Sequence, residues 1–382
     1  MRALFCCTGP LSSKAAGTGP SIRRPKIKIM EENNMKKLNL KKILSLSAAM
    51  ALTLSLAACS AAPSGGDAAS PSPSQSGGGQ GQGSGAGYKI AVVQQLDHAS
   101  MDEIREAVEA ELDAKAAELG VSVTYQDFSG QNDPTLLGQI GAQVVADGYD
   151  AIIPIGTLAA QQMVVAAEKT KTPVVYAAVS DPETGGLTGI DYVTGTSDAL
   201  NTPFILDMML ALNPDVKTVG LLYSNSQDNS VVPIADAKEY LDSKNISYVE
   251  KTGNTNDEVI AAVNSMLDQV DAVFTPTDNV VMAAELAIAP ILAGAGVPHY
   301  TGADSFVRNG AFATSGVNYG DLGAYTADMT LDILQTGAVP EYHVMDGGII
   351  TVNTETAAAL GADYSVFSTL AGQVVEVQTT EE

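Results

Sequence analysis

The chain has 382 residues, 45% of them hydrophobic and 17% charged, with a net charge of −24. That apolar content supplies a packed core and excludes global disorder, and the length suits two domains at roughly 150 residues each. Ten Lys and Arg precede Cys59 against two acids, whereas from Cys59 onward ten basic residues face 42 acids; a body at −32 repels phosphate backbones and argues against a nucleic-acid partner.

Met35 to Lys42 is a short basic start, and an apolar run follows from Ile43 to Ala58, ending in Leu56-Ala57-Ala58-Cys59. A basic start, an apolar stretch and small residues before a cleavage point make residues 35–58 a secretory signal peptide. The run of about 16 residues is short for a membrane span, which needs about 20. Its ending resembles a bacterial lipobox, which implies cleavage before Cys59 and lipidation of that residue. Because Met35 opens a complete signal, residues 1–34 are expected to be an upstream leader read in frame. Residues 59–87 are the lipidated Cys and a Gly/Ser linker: from Ser60 to Gly87 there are nine Gly, seven Ser and no apolar period. Such a coil spans about 30 Å. Several acyl chains on Cys59 hold the body to the outer face of the cell membrane.

From Tyr88 the pattern alternates. Tyr88–Gln94 is a β-branched apolar run, Met101–Leu119 has helical spacing stopped by Gly120, Val121–Phe128 reads as strand and Pro134–Ala146 as helix. Strand 151–155, helix 158–168 and strand 173–177 follow. A second cycle runs through helix 202–212, strand 218–223, helix 232–243, strand 246–249, helix 257–267, strand 272–275, helix 280–292 (ended or kinked at Pro290) and strand 297–300. A strand-like piece after Ala311, a helix over 322–334 and a short β/α tail are too little for a third domain. They are expected to return and complete both halves. The fold class is therefore α/β: two doubly wound parallel-sheet lobes joined by a multi-strand hinge with a ligand cleft between them. The N-terminal lobe is expected over 88–197 plus 317–345, and the C-terminal lobe over 198–316 plus 346–378.

In doubly wound sheets, ligands meet the loops beyond the carboxyl ends of the strands. Those loops here carry amides, hydroxyls and carboxylates with helix starts behind them. Free N–H groups at a helix start favour a carboxylate, and Asp278 and Asp304 suit an ammonium, so the set fits a zwitterion such as an amino acid. The same residue types are ordinary caps and turn formers, and each singly carries that reading equally well. Catalytic signatures are missing: there is no Gly-x-Ser-x-Gly, His-Glu-x-x-His, Walker A or Gly-x-Gly-x-x-Gly after the first strand. His98 beside Asp97 and Asp102 has the makings of a general base, but a solvated loop histidine is the simpler reading, and Met208-Met209 read as core. The cysteines are Cys6, Cys7 and Cys59 and the histidines His98, His299 and His343, so neither a disulfide framework nor a metal centre is expected in the body. No enzyme activity and no cofactor are expected.

The body from about Tyr88 to Val377 resembles the bacterial ABC-transporter substrate-binding proteins of the tryptophan/tyrosine type. The resemblance rests on Lys89–Gln94, Ala151–Thr157, Ala178-Val179-Ser180-Asp181-Pro182, Val219–Ser224, Val273-Phe274-Thr275-Pro276-Thr277-Asp278-Asn279 and Gly316-Val317-Asn318-Tyr319. Ser-Asp-Pro followed by Pro-Thr-Asp-Asn is its specific part. It implies a periplasmic-binding-protein-like type I fold with three crossovers, a small ligand held by lobe closure, and delivery to an ABC permease. The candidate ligand-binding residues are Gln95, Thr157, Ser180, Asp181, Asn229, Thr277, Asp278, Asp304, Asn318 and Tyr319. The ligand is expected to be an amino acid, possibly an aromatic one, and the receptor a monomer; a sugar or nucleoside ligand, or a sensing role, is the alternative. The chain has no Trp, so ligand stacking falls to Tyr or Phe, such as Tyr319 or Phe306.

Overall fold

A computed structural model describes residues 87–380. The leader, the signal peptide, Cys59 and the linker short of Gly87 lie outside the described residues.

The first lobe opens with β1 (Gly87–Gln94), α1 (Ala99–Leu119), β2 (Ser122–Ser129), α2 (Pro134–Ala146), β3 (Ala151–Ile155), α3 (Thr157–Ala167), β4 (Val174–Tyr176) and β5 (Val193–Ser197). Ile90, Ala91, Val92 and Val93 are all fully buried, as a strand covered on both faces requires. α1 stops at Gly120, whose φ of 65° is the left-handed conformation that closes a helix. α2 starts on Asp133, whose carboxylate accepts from the N–H groups of Thr135 and Leu136.

The chain then crosses to the second lobe. There it forms α4 (Thr202–Leu212), β6 (Thr218–Tyr223), α5 (Val231–Lys244), β7 (Ser247–Thr252), α6 (Asn256–Met266), β8 (Ala272–Thr275), α7 (Asn279–Gly294), β9 (His299–Thr301), α8 (Asp304–Arg308) and β10 (Ala313–Gly316). It returns to the first lobe for α9 (Tyr319–Thr336) and β11 (His343–Val344), and crosses a third time for β12 (Ile349–Asn353), α10 (Thr354–Leu360) and β13 (Val374–Val377). Strand order is β11-β5-β4-β3-β1-β2 in the first sheet and β13-β12-β10-β9-β8-β6-β7 in the second.

The first sheet is parallel throughout, while β10 and β12 of the second run antiparallel. β12 enters its sheet from the other lobe instead of through a helix on its own face, so nothing forces the parallel sense. β5 is absent from the expected strands. It reads Val-Thr-Gly-Thr-Ser with no apolar run, yet it is buried, and its Thr196 hydroxyl bonds Thr326 of α9 at 2.8 Å. α7 runs through Pro290 to Gly294 instead of stopping there. The carbonyl that proline frees belongs to Leu286, which is on the exposed side of the helix, where water replaces the lost bond.

Each sheet is covered on both faces. In the first lobe α1 and α9 pack along each other on one face, and α2 and α3 lie on the other. In the second, α6 and α7 cover one face and α4 and α5 the other. One apolar cluster runs unbroken from Ile90, Ile104 and Leu322 of the first lobe through Val317 and Tyr319 to Phe306 and Val280 of the second. α9 comes close to α1 at Gly323, where a Cβ would lie 2.7 Å from the carbonyl oxygen of Ile104 and 2.7 Å from Ala107 Cβ. In an unconstrained helix Gly→Ala gains about 1 kcal/mol. Here Gly323→Ala is expected to destabilise by about 1–3 kcal/mol through overpacking, read as a lower urea midpoint with unchanged slope.

Candidate functional site

The cleft is built where both sheets present their strand ends to each other. His98, Ser100, Met101 and Ile104 come from the start of α1, Gly156 and Thr157 from the β3–α3 turn, and Ala178 and Ser180 from the segment after β4. Asp198 sits on the first crossover and Tyr319 on the second. The second lobe supplies Asn229, Thr277, Asp278, Asn279, Met282, Ala303 and Phe306. The free space left between them is about 30 Å³, so the two walls lie nearly shut on each other. Gly156 has φ 93°, and a Cβ there would meet Met101 Cε at 2.7 Å and Gln95 Oε1 at 2.9 Å, so the turn admits only glycine.

The candidates from sequence divide. Thr157, Ser180, Asn229, Thr277, Asp278 and Tyr319 line the cleft. Thr157 Oγ1 is buried without a partner. Ser180 Oγ donates to Asp198 Oδ1 at 2.9 Å and lies 3.0 Å from Thr277 Oγ1 across the lobe boundary. Asn229 Nδ2 donates to the Thr277 carbonyl.

The ammonium role expected of Asp278 does not fit its surroundings. Its Oδ1 accepts from the N–H groups of Val280 and Val281, and its Oδ2 from Ser224 N–H and Ser230 Oγ. All four bonds stay within the second lobe, so Asp278 caps α7 and ties down the β6 loop.

Four candidates lie outside the lining. Asp181 holds its own turn through Thr184 N–H at 2.9 Å and Thr184 Oγ1 at 2.8 Å. Asp304 accepts from Arg308 Nε and Nη2 one helical turn on, although its Oδ1 is buried and unpartnered. Asn318 caps α9 by accepting from Asp321 N–H and is exposed. Gln95 is buried behind the cleft wall, with Oε1 accepting from Leu158 N–H and Nε2 donating to Asn132 and Gln227.

Sequence reasoning passes over Asp198. It follows the unrecognised strand β5, so nothing marked its position as a strand end. The carboxylate is buried and accepts from Ser180 Oγ and, at 3.1 Å, from Tyr319 Oη. Burial pushes its pKa up, against the pull of those two donors. Burial, then the Asp198 charge, holds the Tyr319 hydroxyl well above the ordinary phenol range, so it stays a donor. His98 is also not the solvated residue expected: it is partly buried in the cleft wall, its Nε2 3.0 Å from Asn279 Oδ1 of the other lobe.

The helix starts that face the cleft uncapped include those of α1 and α3. α1 and α3 have no side-chain cap bond, unlike α7 and α9. Met101, Ile104, Met282, Phe306 and the Tyr319 ring form the apolar part of the lining. No lysine or arginine lines the cleft, and among the described residues no group of three or more His, Cys, Asp or Glu is placed to hold a metal ion.

Residues 89–374 match the ABC transporter substrate binding protein family. The chain belongs to that family. It is a substrate-binding protein of an ABC transporter, and the family is one of extracytoplasmic solute-binding receptors. It is 28% identical over 279 residues to a tyrosine-binding protein of Clostridioides difficile (strain R20291), spanning 71% of this chain and 80% of the relative. Among solved structures it is similar to an ABC domain in complex with L-Trp from Streptococcus pneumoniae: TM-score 0.69, 27% identity, 76% of this chain and 100% of the other. A ligand-free, open substrate binding protein with adhesive properties from Clostridium difficile matches at TM-score 0.59, 28% identity, over 77% and 100%. At nearly equal identity the Trp complex overlays better than the open form. This agrees with the cross-lobe hydrogen bonds of Ser180, His98 and Gln95, which require lobes in contact.

Because Asp278 spends both oxygens on its own lobe, Asp278→Ala is expected to destabilise the fold by about 1–3 kcal/mol. A thermal melt without ligand reads this as a lower Tm before any ligand is added.

Proposed function

We propose that this substrate-binding protein captures an α-amino acid with an apolar or aromatic side chain, closes its two lobes on it, and hands it to an ABC permease. In this reading the N-terminal lobe is 88–197 with 317–345, the C-terminal lobe is 198–316 with 346–378, and a lipid on Cys59 holds the body outside the cell membrane. One observation carries the ligand class: Asp198 is a buried carboxylate in a cleft lined by no lysine or arginine. A buried carboxylate without a cation is costly, and a ligand ammonium removes that cost. The uncapped starts of α1 and α3, with the unpartnered Thr157 hydroxyl, suit the carboxylate of the same ligand. The apolar part of the lining suits its side chain. The names of the two relatives, one tyrosine-binding and one bound to L-Trp, lie in the same class.

Closure follows from differential contact. Ser180, Thr157 and His98 belong to one lobe and Asn229, Thr277 and Met282 to the other, so a ligand touching both stabilises the closed state over the open one.

Calorimetric titration with L-Tyr, L-Trp, L-Phe and L-Leu, with their desamino acids, and with sugars and nucleosides tests the reading. Binding confined to amino acids, with desamino acids weakened at least about a hundredfold and Asp198→Asn losing the same discrimination, is the expected result. Binding of a sugar or nucleoside with no amino acid overturns it.

A second expectation concerns pH. The folded carboxyl of Asp198 has a raised pKa, so its contribution to ligand-free stability is present at low pH and lost as pH rises through that pKa. Ligand-free Asp198→Asn is therefore expected to gain Tm over the native chain as pH rises above the ordinary carboxylate range. Amino-acid affinity of the native chain rises over the same interval.

A further inference from the structure

A line of side-chain amides crosses the lobe boundary and ends on His98. It begins at a group whose role is fixed: the backbone N–H of Leu158, which can only donate, to Gln95 Oε1 at 3.0 Å. Gln95 must therefore present Nε2 on its other side, where it donates to Asn132 Oδ1 at 2.9 Å and, across the boundary, to Gln227 Oε1 at 3.0 Å. Gln227 Oε1 also accepts from Asn279 Nδ2 at 3.0 Å, while Gln227 Nε2 reaches back to Asn132 Oδ1 at 3.3 Å. With Nδ2 committed, Asn279 turns Oδ1 to His98 Nε2 at 3.0 Å, and that oxygen can only accept. The ring proton therefore sits on Nε2. His98 Nδ1, buried and without any partner, carries the lone pair into the cleft wall.

We propose that His98 selects for a hydrogen-bond donor on the ligand's side chain, an indole N–H or phenol O–H, and that lobe closure through Gln227 and Asn279 is what sets it as an acceptor. The proposal rests on the amino-acid reading above and adds the side-chain chemistry to it. The ligand's ammonium is not the donor in question. Asp198 and His98 both line the cleft, and the amino-acid reading gives the ammonium to Asp198.

The surroundings of the ring keep it neutral. Burial lowers its pKa most, opposed by the Asn279 bond, Asp102, its own backbone and Asp97. Asp102 is itself engaged by Gln94 Nε2 at 2.9 Å and by Arg105 at 3.9 Å. From the other lobe, Asn279 of α7 faces the ring, and the Asp278 carboxylate at the head of that helix is spent on four donors. A buried acceptor left unmet by a ligand lacking the donor weakens binding by about 5- to 150-fold.

Affinities of the full chain for L-Tyr, L-Trp, L-Phe, O-methyl-L-tyrosine and 1-methyl-L-tryptophan, measured at neutral pH and in an acid series, decide it. The expected result is that L-Tyr or L-Trp binds at least about tenfold better than L-Phe and than its own methylated form. His98→Leu should bring that ratio near one. In the native chain the ratio should fall on acidification, as Nδ1 gains a proton and ceases to accept. Asn279→Asp, whose carboxylate favours the imidazolium, should move that fall to higher pH, a shift that loss of packing alone does not produce. Aromatic amino acids binding with no such preference, or a preference that survives His98→Leu, overturns the role of His98 while leaving the amino-acid reading standing. If none of the five binds, the amino-acid reading fails and the selection by His98 fails with it.

Discussion

Three passages of chain join the two sheets, and the ligand cleft is organised by the bond between the first two. Asp198, just past β5, accepts from Tyr319, the first residue of α9. A carboxylate buried at that point has no lysine or arginine in the cleft lining to balance it, and the side chains that hold it are two hydroxyl donors. Fold and proposed function meet in that imbalance: the crossovers also carry the group that, in the amino-acid reading, makes an occupied cleft more stable than an empty one.

Beside the cleft the lobes meet through neutral groups. Ser180 meets Thr277, Gln95 meets Gln227 and His98 meets Asn279. Amide and hydroxyl pairs of this kind contribute about 0.5–1.5 kcal/mol each, little enough that a hinge can break and remake them. A cross-lobe set of buried ion pairs would lock the closed form, because separating such charges is far more expensive. The polarity of the boundary therefore suits a protein that must release what it captures. Some of the backbone strain lies at the same place: Asn132, within the amide line, and Ala178, in the cleft wall, have positive φ.

Much of the architecture was legible in the sequence because buried parallel strands announce themselves as apolar runs, and helices by their spacing and their caps. Two elements were not. β5 is buried through threonine hydroxyls that find partners only once α9 is laid beside it, so its burial has no hydrophobic signature. α8 is five residues long, too short for a period to show. Of the residues named from the sequence as ligand-facing, Thr157, Ser180, Asn229, Thr277, Asp278 and Tyr319 line the cleft. The roles within them were less legible, since an aspartate before a helix looks the same whether it caps the helix or awaits a cation. Asp278, Asp181 and Asn318 all turn out to hold their own backbone.

The sequence by itself determined the alternation of strand and helix, the acidic body and the family to which the chain belongs. These follow from local pattern and composition, which need no partner from elsewhere in the chain. Only the tertiary structure decided which carboxylate is spent and which is left open, and which nitrogen of His98 carries the proton. Both depend on hydrogen-bond partners brought from residues up to 181 positions away, as between His98 and Asn279. A hydrogen-bonding group has no fixed role until its neighbours are in place.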